Sequence, residues 1–314
     1  MCLYEFNMKA STVNKIGLAI SLFLVISANA QENNKEIVDS LQLIYPGAAL
    51  HKVSDQFLFT EGPAVDKAGA IYFTDQPNDK IWKYDVNGKL SLFMDKTGRS
   101  NGLYFDSKGN IIACADNKDE LWSITPSKKI TVLLKDFQGH RFNGPNDLWI
   151  DKKGGIYFTD PYYQREYWDR TKPDIEGQKV YYLAKGKKEA VVVYDQLKQP
   201  NGIVGTPDGK ILYVADIGDG KTYRYKINPD ATLSEATVLF NQGSDGMTLD
   251  NKGNIYVTGN GVTIYNPAGV KIGHIPVPAE WTANLCFGGK DRKTLFITAK
   301  EAVYTIMMNA KGVE

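Results

Sequence analysis

Beyond residue 60 the chain alternates short apolar runs with polar turns, and the alternation itself repeats. Six segments align: EGPAVDKAGAIYFTD from 61, NGLYFDSKGNIIACAD from 101, NDLWIDKKGGIYFTD from 146, NGIVGTPDGKILYVAD from 201, DGMTLDNKGNIYVTG from 245 and NLCFGGKDRKTLFITA from 284. Each has a polar head, a short apolar strand, a turn and a second apolar strand. The turns at 66–69, 106–109, 151–154, 207–209 and 250–253 sit between β-branched and aromatic runs, which is a hairpin signal. Third and fourth strands follow in most copies, as in KIWKYD then LSLFMD, ELWSIT then KITVLL, VYYLA then AVVVYD, and TYRYKI then ATVLF. Six such units spaced 39 to 55 residues apart predict an all-β, six-bladed β-propeller rather than two β-sandwiches. The sixth copy stops near Ile306 after three strands, so residues 49–54 are expected to supply its outer strand and close the ring. Residues 31–314 then form one domain. Only residues 35–43 read as a turn or two of helix.

The heads fall in register at Glu61, Asn101, Asn146, Asn201, Asp245 and Asn284, each just before the innermost strand of its blade. Neighbouring blades of a six-fold ring are related by rotations of about 60°, so these side chains converge at one level of the central channel. Ordinary turn chemistry explains one Asn-Gly or Asp-Gly. It does not explain six oxygen-bearing heads in register. Converging carboxylates and amide oxygens repel one another unless a cation sits among them. Oxygen donors without sulfur or imidazole suit Ca²⁺, with Mg²⁺ or Mn²⁺ as alternatives.

The first thirty residues stand apart. Lys9 and Lys15 precede an apolar run from Ile16 to Ser27, and Ala28-Asn29-Ala30 follows. This pattern is expected to be a secretory signal peptide, residues 1–30, cleaved near Ala30 and directing the chain to the periplasm or the exterior. Its removal takes Lys9, Lys15 and Glu5 from 37 basic and 36 acidic side chains and leaves a neutral chain. Such a chain offers no attraction to nucleic acid or an anionic membrane. Cys114 and Cys286 lie in apolar runs of different copies, so two buried thiols are expected rather than a disulfide.

Five motifs together carry a resemblance to a known family: EGP (61–63), RFNGPNDL (141–148), FTDPYY (158–163), PNGI (200–203) and SDGMTLD (244–250), supported by NLCFGG (284–289). Over residues 57–306 the chain resembles the SMP-30/gluconolactonase/LRE-like calcium-dependent lactonases. These are six-bladed propellers related to paraoxonases and diisopropyl-fluorophosphatase. The resemblance implies Glu61, Asn146, Asn201 and Asp245 as metal ligands, Ca²⁺ or else Mg²⁺, Mn²⁺ or Zn²⁺ as the cofactor, and a small sugar lactone as substrate. It also implies Arg141 and Asn143 as substrate-facing residues and Asp245 as general base. Asn101 and Asn284 would then lie on the channel wall, with Asn101 close enough to meet substrate, and Asp147 would hold the loop or a ligand. A carboxylate bound to a cation is a weakened base, so a hydroxide held by the cation is an alternative nucleophile.

The third copy carries a long insertion, PYYQREYWDRTKPDIEG (161–177), between its second and third strands. That connection lies on the face of the polar heads, so Tyr162, Tyr163, Arg165, Tyr167, Trp168 and Arg170 should border the channel mouth. Tyr162 and Tyr163 are expected to meet a sugar-like ring. His140 reads as a solvated loop residue, and His51 and His274 as structural residues on outer strands. The expected activity is lactone hydrolysis. Organophosphate or aryl-ester hydrolysis at the same site is one alternative, and a non-catalytic, calcium-stabilised sugar- or protein-binding propeller is another.

Overall fold

The repeated apolar runs pair as antiparallel strands, because β-branched and aromatic side chains pack well on a pleated surface buried on both faces. A computed structural model describes residues 38–313, all within one compact unit, Glu36–Glu314. The expected signal peptide lies outside the described residues. Six sheets form, and their innermost strands are Thr60–Val65, Ser100–Phe105, Leu148–Ile150, Pro200–Gly205, Met247–Leu249 and Asn284–Gly288. Each touches the next in chain order, and the last touches the first, so the ring is closed. The fold is a six-bladed β-propeller.

Closure follows the expected route. His51–Ser54 pairs antiparallel with Ala302–Met307 as the outer strand of the sixth blade. The preceding segment departs from expectation. Instead of a helical turn, Val38–Asp39 adds a fifth strand beside Lys271–Ile275 in the fifth blade. The Asp39 carboxylate then accepts the backbone N–H groups of Leu43 and Ile44, at 2.7 and 2.8 Å. A short acidic side chain that captures backbone donors in this way competes with a helix.

The hydrophobic core lies in the wedges between blades. Ile112, Cys114 and Leu121 of the second blade pack with Phe158, Tyr181 and Leu183 of the third, and Leu285 and Ile297 of the sixth pack with Tyr256 and Ile264 of the fifth. Cys114 and Cys286 are buried in different blades and no disulfide joins them.

The ends of the second strands lock the heads in place. Thr74, Thr159 and Thr258 each donate a hydroxyl to a backbone carbonyl at the start of the next blade, on Asn101, Asn201 and Ala283, at 3.1, 2.7 and 2.7 Å. The aspartates that follow two of these threonines act within their own blade. Asp75 accepts from Leu58 and Phe59, and Asp160 from Asn143 and Gly144, three and two residues before each head. Asp216 of the fourth blade does the same for Lys198 and Gln199.

Candidate functional site

Four heads are followed by glycine, and the packing explains why. A Cβ at Gly62 would lie 2.1 Å from the Asn101 carbonyl oxygen, at Gly102 2.6 Å from that of Asn146, at Gly202 2.8 Å from that of Asp245, and at Gly246 2.0 Å from Asn284 Oδ1. Each glycine lets the next head approach, which draws the ring tight around the channel. In the first, second and fourth blades a register shift next to the head, as between Ser100 and Leu103, frees it from the regular ladder. A bulge of this kind re-aims side chains.

Five heads, Glu61, Asn101, Asn146, Asn201 and Asp245, line one cavity of about 220 Å³. This is small against the ~300–1,000 Å³ of pockets for drug-sized ligands and suits a molecule of monosaccharide size. Phe59, Ile217 and Trp281 supply apolar walls, and Tyr163 and Arg165 enter from the insertion. Asn284 does not line this cavity; its side chain opposes the rise of the Glu61 and Asp147 carboxyls. A larger cavity of about 410 Å³ lies between the second and third blades. It is rimmed by lysines, and its two carboxylates, Asp106 and Asp151, are spent on their own turns.

Each floor carboxylate is held by one edge. Glu61 Oε2 accepts from the Gly62 N–H at 2.9 Å, and Asp245 Oδ2 accepts from the Trp281 indole at 2.6 Å. Burial, and then the charge of Asp245, hold the Glu61 carboxyl well above the usual range. Burial likewise pushes Asp245 up to about 6, although the Trp281 and Asn201 hydrogen bonds oppose it, and pushes Asp147 up to about 7. Two buried acids in contact favour a shared proton or a cation between them.

The amides bear on the choice. Asn201 gives its Nδ2 to the Tyr163 hydroxyl at 2.9 Å, and its Oδ1 is buried with no hydrogen-bond partner. The Asn101 Oδ1 is buried and unpartnered too. Such orphaned acceptors cost roughly 1–3 kcal/mol each. Beside two carboxylates, they match the needs of a hard cation. Among the described residues no three His, Cys, Asp or Glu side chains are grouped to hold a metal, so any ion here depends on amide oxygens.

Three of the residues expected to face substrate do not line this cavity. Arg141 lies outside the cavity, where its guanidinium pairs with Asp169 at 2.7 Å and Asp174 at 3.1 Å. Asn143 is buried, and its Nδ2 donates to the carbonyls of Asp160 and Gly177 at 3.3 and 2.9 Å. Both residues therefore fasten the base of the insertion. Tyr162 packs on Trp168 at 5.6 Å and bonds Gln164, while its neighbour Tyr163 takes the cavity wall. In an extended run successive side chains point to opposite sides, and sequence alone did not say which tyrosine faced inward. His140 is exposed on its loop, as expected. Trp281 gave no sequence signal, since it lies in the connection between the fifth and sixth blades, outside the repeat.

The profile of the SMP-30/Gluconolactonase/LRE-like region matches residues 59–301. The chain belongs to this family. It is 27% identical over 291 residues to a gluconolactonase of Zymomonas mobilis, a match covering 83% of this chain and 81% of that one. A gluconolactonase structure from Xanthomonas campestris shares the fold with a TM-score of 0.82 at 24% identity, covering 88% of this chain and 96% of that one. A calcium-binding regucalcin from Agrobacterium tumefaciens superposes with a TM-score of 0.71 at 20% identity, over 84% and 95% of the two chains.

Proposed function

We propose that this family member is a divalent-cation-dependent hydrolase that opens a small sugar lactone at the channel mouth. The observation that carries the reading is the single cavity in which five heads converge with two buried amide oxygens left unpartnered. Glu61, Asn146, Asn201 and Asp245 would hold the cation, and the all-oxygen donors favour Ca²⁺ over Mg²⁺ or Mn²⁺ and suit Zn²⁺ least. When bound, the cation polarises the ring carbonyl and stabilises the negative charge developing on its oxygen.

The chain's own groups do the rest. Trp281 fixes one oxygen of Asp245, and the carboxylate would take a proton from the attacking water. Tyr163 orients the Asn201 amide by accepting from its Nδ2, which keeps Oδ1 available to the cation. Phe59, Ile217 and Trp281 keep bulk water from the reacting carbonyl. Membership of the family and the likeness to the Zymomonas mobilis gluconolactonase support the substrate class. Export to the periplasm or the exterior is part of the proposal and rests on the N-terminal sequence alone.

The test is hydrolysis of a panel of sugar lactones, an aryl ester and a phosphotriester, before and after exhaustive chelation. Lactone opening should vanish on chelation and return with Ca²⁺. Activity that survives with no ion found by elemental analysis would end the metal-dependent reading. A protein that binds sugars but turns over none of the panel would end the enzyme reading. Asp245→Asn should lower the rate on the order of 10²–10⁴, the usual contribution of a general base. Ion content must be measured alongside, since lost metal mimics a lost base.

A further inference from the structure

Arg165 is the one cationic side chain on the cavity wall, and it is there because of the insertion. Other arginines around the mouth spend their N–H groups on the protein. Arg141 pairs with Asp169 and Asp174. Arg170 serves Asp119 and the carbonyls of Phe142 and Asn143. Arg99 bonds the Pro77 carbonyl and lies over the Tyr167 ring. For Arg165 the ion pair places Nε 3.4 Å from Asp116 Oδ2 without the alignment of a hydrogen bond, and among the described residues no hydrogen bond is drawn from its guanidinium.

Its support is built in. The Asp116 side chain is 3% exposed against 24% for Arg165, and it also accepts from the Tyr167 hydroxyl. The Trp168 indole binds the Asp116 carbonyl at 3.1 Å, and the Tyr163 ring lies 5.5 Å from the Arg165 guanidinium carbon. Asp116 thus faces the Nε side of the guanidinium as an ion pair, and the edge formed by the two terminal nitrogens is left unspent. A planar guanidinium edge matches a carboxylate with two parallel hydrogen bonds, whereas a hydroxyl can use only one of them. The Arg165 charge also reaches Asp245 and opposes the rise of its carboxyl; a divalent cation at Glu61 and Asp245 would take over that charge balance and leave the guanidinium for a ligand.

Resting on the lactonase reading, we infer that Arg165 is a specificity-determining residue that selects sugar lactones bearing a free carboxylate, as lactones of sugar diacids do, over neutral lactones of the same size.

The experiment compares two six-carbon lactones that differ only in a terminal carboxylate in place of CH₂OH, with uncatalysed opening subtracted. The wild-type protein should favour the carboxylate form in kcat/KM by at least ten-fold. Arg165→Met should cut that preference at least ten-fold, chiefly through KM, and Arg165→Lys should fall between, because an ammonium cannot form the bidentate pair. Melting temperatures and proteolysis of residues 161–177 confirm that the insertion stays folded. A wild type with no preference, or an Arg165→Met variant that loses both lactones by one factor, would overturn the inference. If the wild type opens neither lactone, the lactonase reading falls separately. Calorimetric binding of the open-chain sugar monoacid and diacid then decides: an Arg165-dependent preference for the diacid sustains the inference, and equal or absent binding overturns it.

Discussion

Asp160 and Asp116 occupy the same place in the repeat, the end of the second strand, yet they do different work. In the third blade both Asp160 oxygens are spent within the blade, on the N–H groups of Asn143 and Gly144 at 3.0 and 2.9 Å. In the second blade the side-chain acceptor for the equivalent loop comes from the neighbouring blade, with Asp79 accepting from the Arg99 N–H at 2.6 Å. Asp116 is thereby released to face the insertion, where Tyr167 and Arg165 meet it. Even the glycine of the NGP motif belongs to this arrangement. Gly144 has φ +138°, and a Cβ there would lie 3.0 Å from both Asp116 Oδ1 and the Trp168 ring. The lesson is that conformity to the repeat marks scaffold, and the copy that departs from it marks the place where something was added.

The comparison can be broken by mutation. The largest effect should come from Asp160→Ala, which leaves two buried backbone donors without an acceptor. A loss of about 2–4 kcal/mol is expected, seen as a fall in melting temperature on the order of 5–10 °C. No fall would mean that the two hydrogen bonds do not hold the loop. Asp116→Ala should cost less, roughly 1 kcal/mol or below, because Arg165 and Tyr167 border the open mouth and can turn to water. Its signature is local: faster proteolytic cleavage within residues 161–177, together with a weakened preference for the carboxylate-bearing lactone. If Asp116→Ala lowers the melting temperature as far as Asp160→Ala, Asp116 is scaffold after all and the contrast between the blades disappears.

Much of the site was legible before any coordinates. The six heads could be placed on one ring because each precedes an apolar run of fixed pattern, and five of them do share a cavity. Tyr163 could be named but not separated from Tyr162, since one residue of register in an irregular segment reverses the direction of a side chain. The motif points Arg141 and Asn143 at substrate, but their partners, Asp169, Asp174 and the Gly177 carbonyl, lie some thirty residues on in a loop whose path no periodicity sets. Trp281 was invisible for the same reason, because nothing local says that its indole will reach Asp245.

Local pattern suffices for the repeat, the number of blades, the closing strand and the ring of oxygens. Those features follow from two-residue strand periodicity and from turns that a few neighbouring residues settle. Packing in three dimensions selects which of two adjacent tyrosines lines the cavity, which arginine keeps its terminal donors unspent, and which aspartate of a repeated set turns outward to support it. These choices depend on contacts across blades and with a non-repeating insertion, where the partner of each polar group is fixed by packing and no pattern along the chain records it.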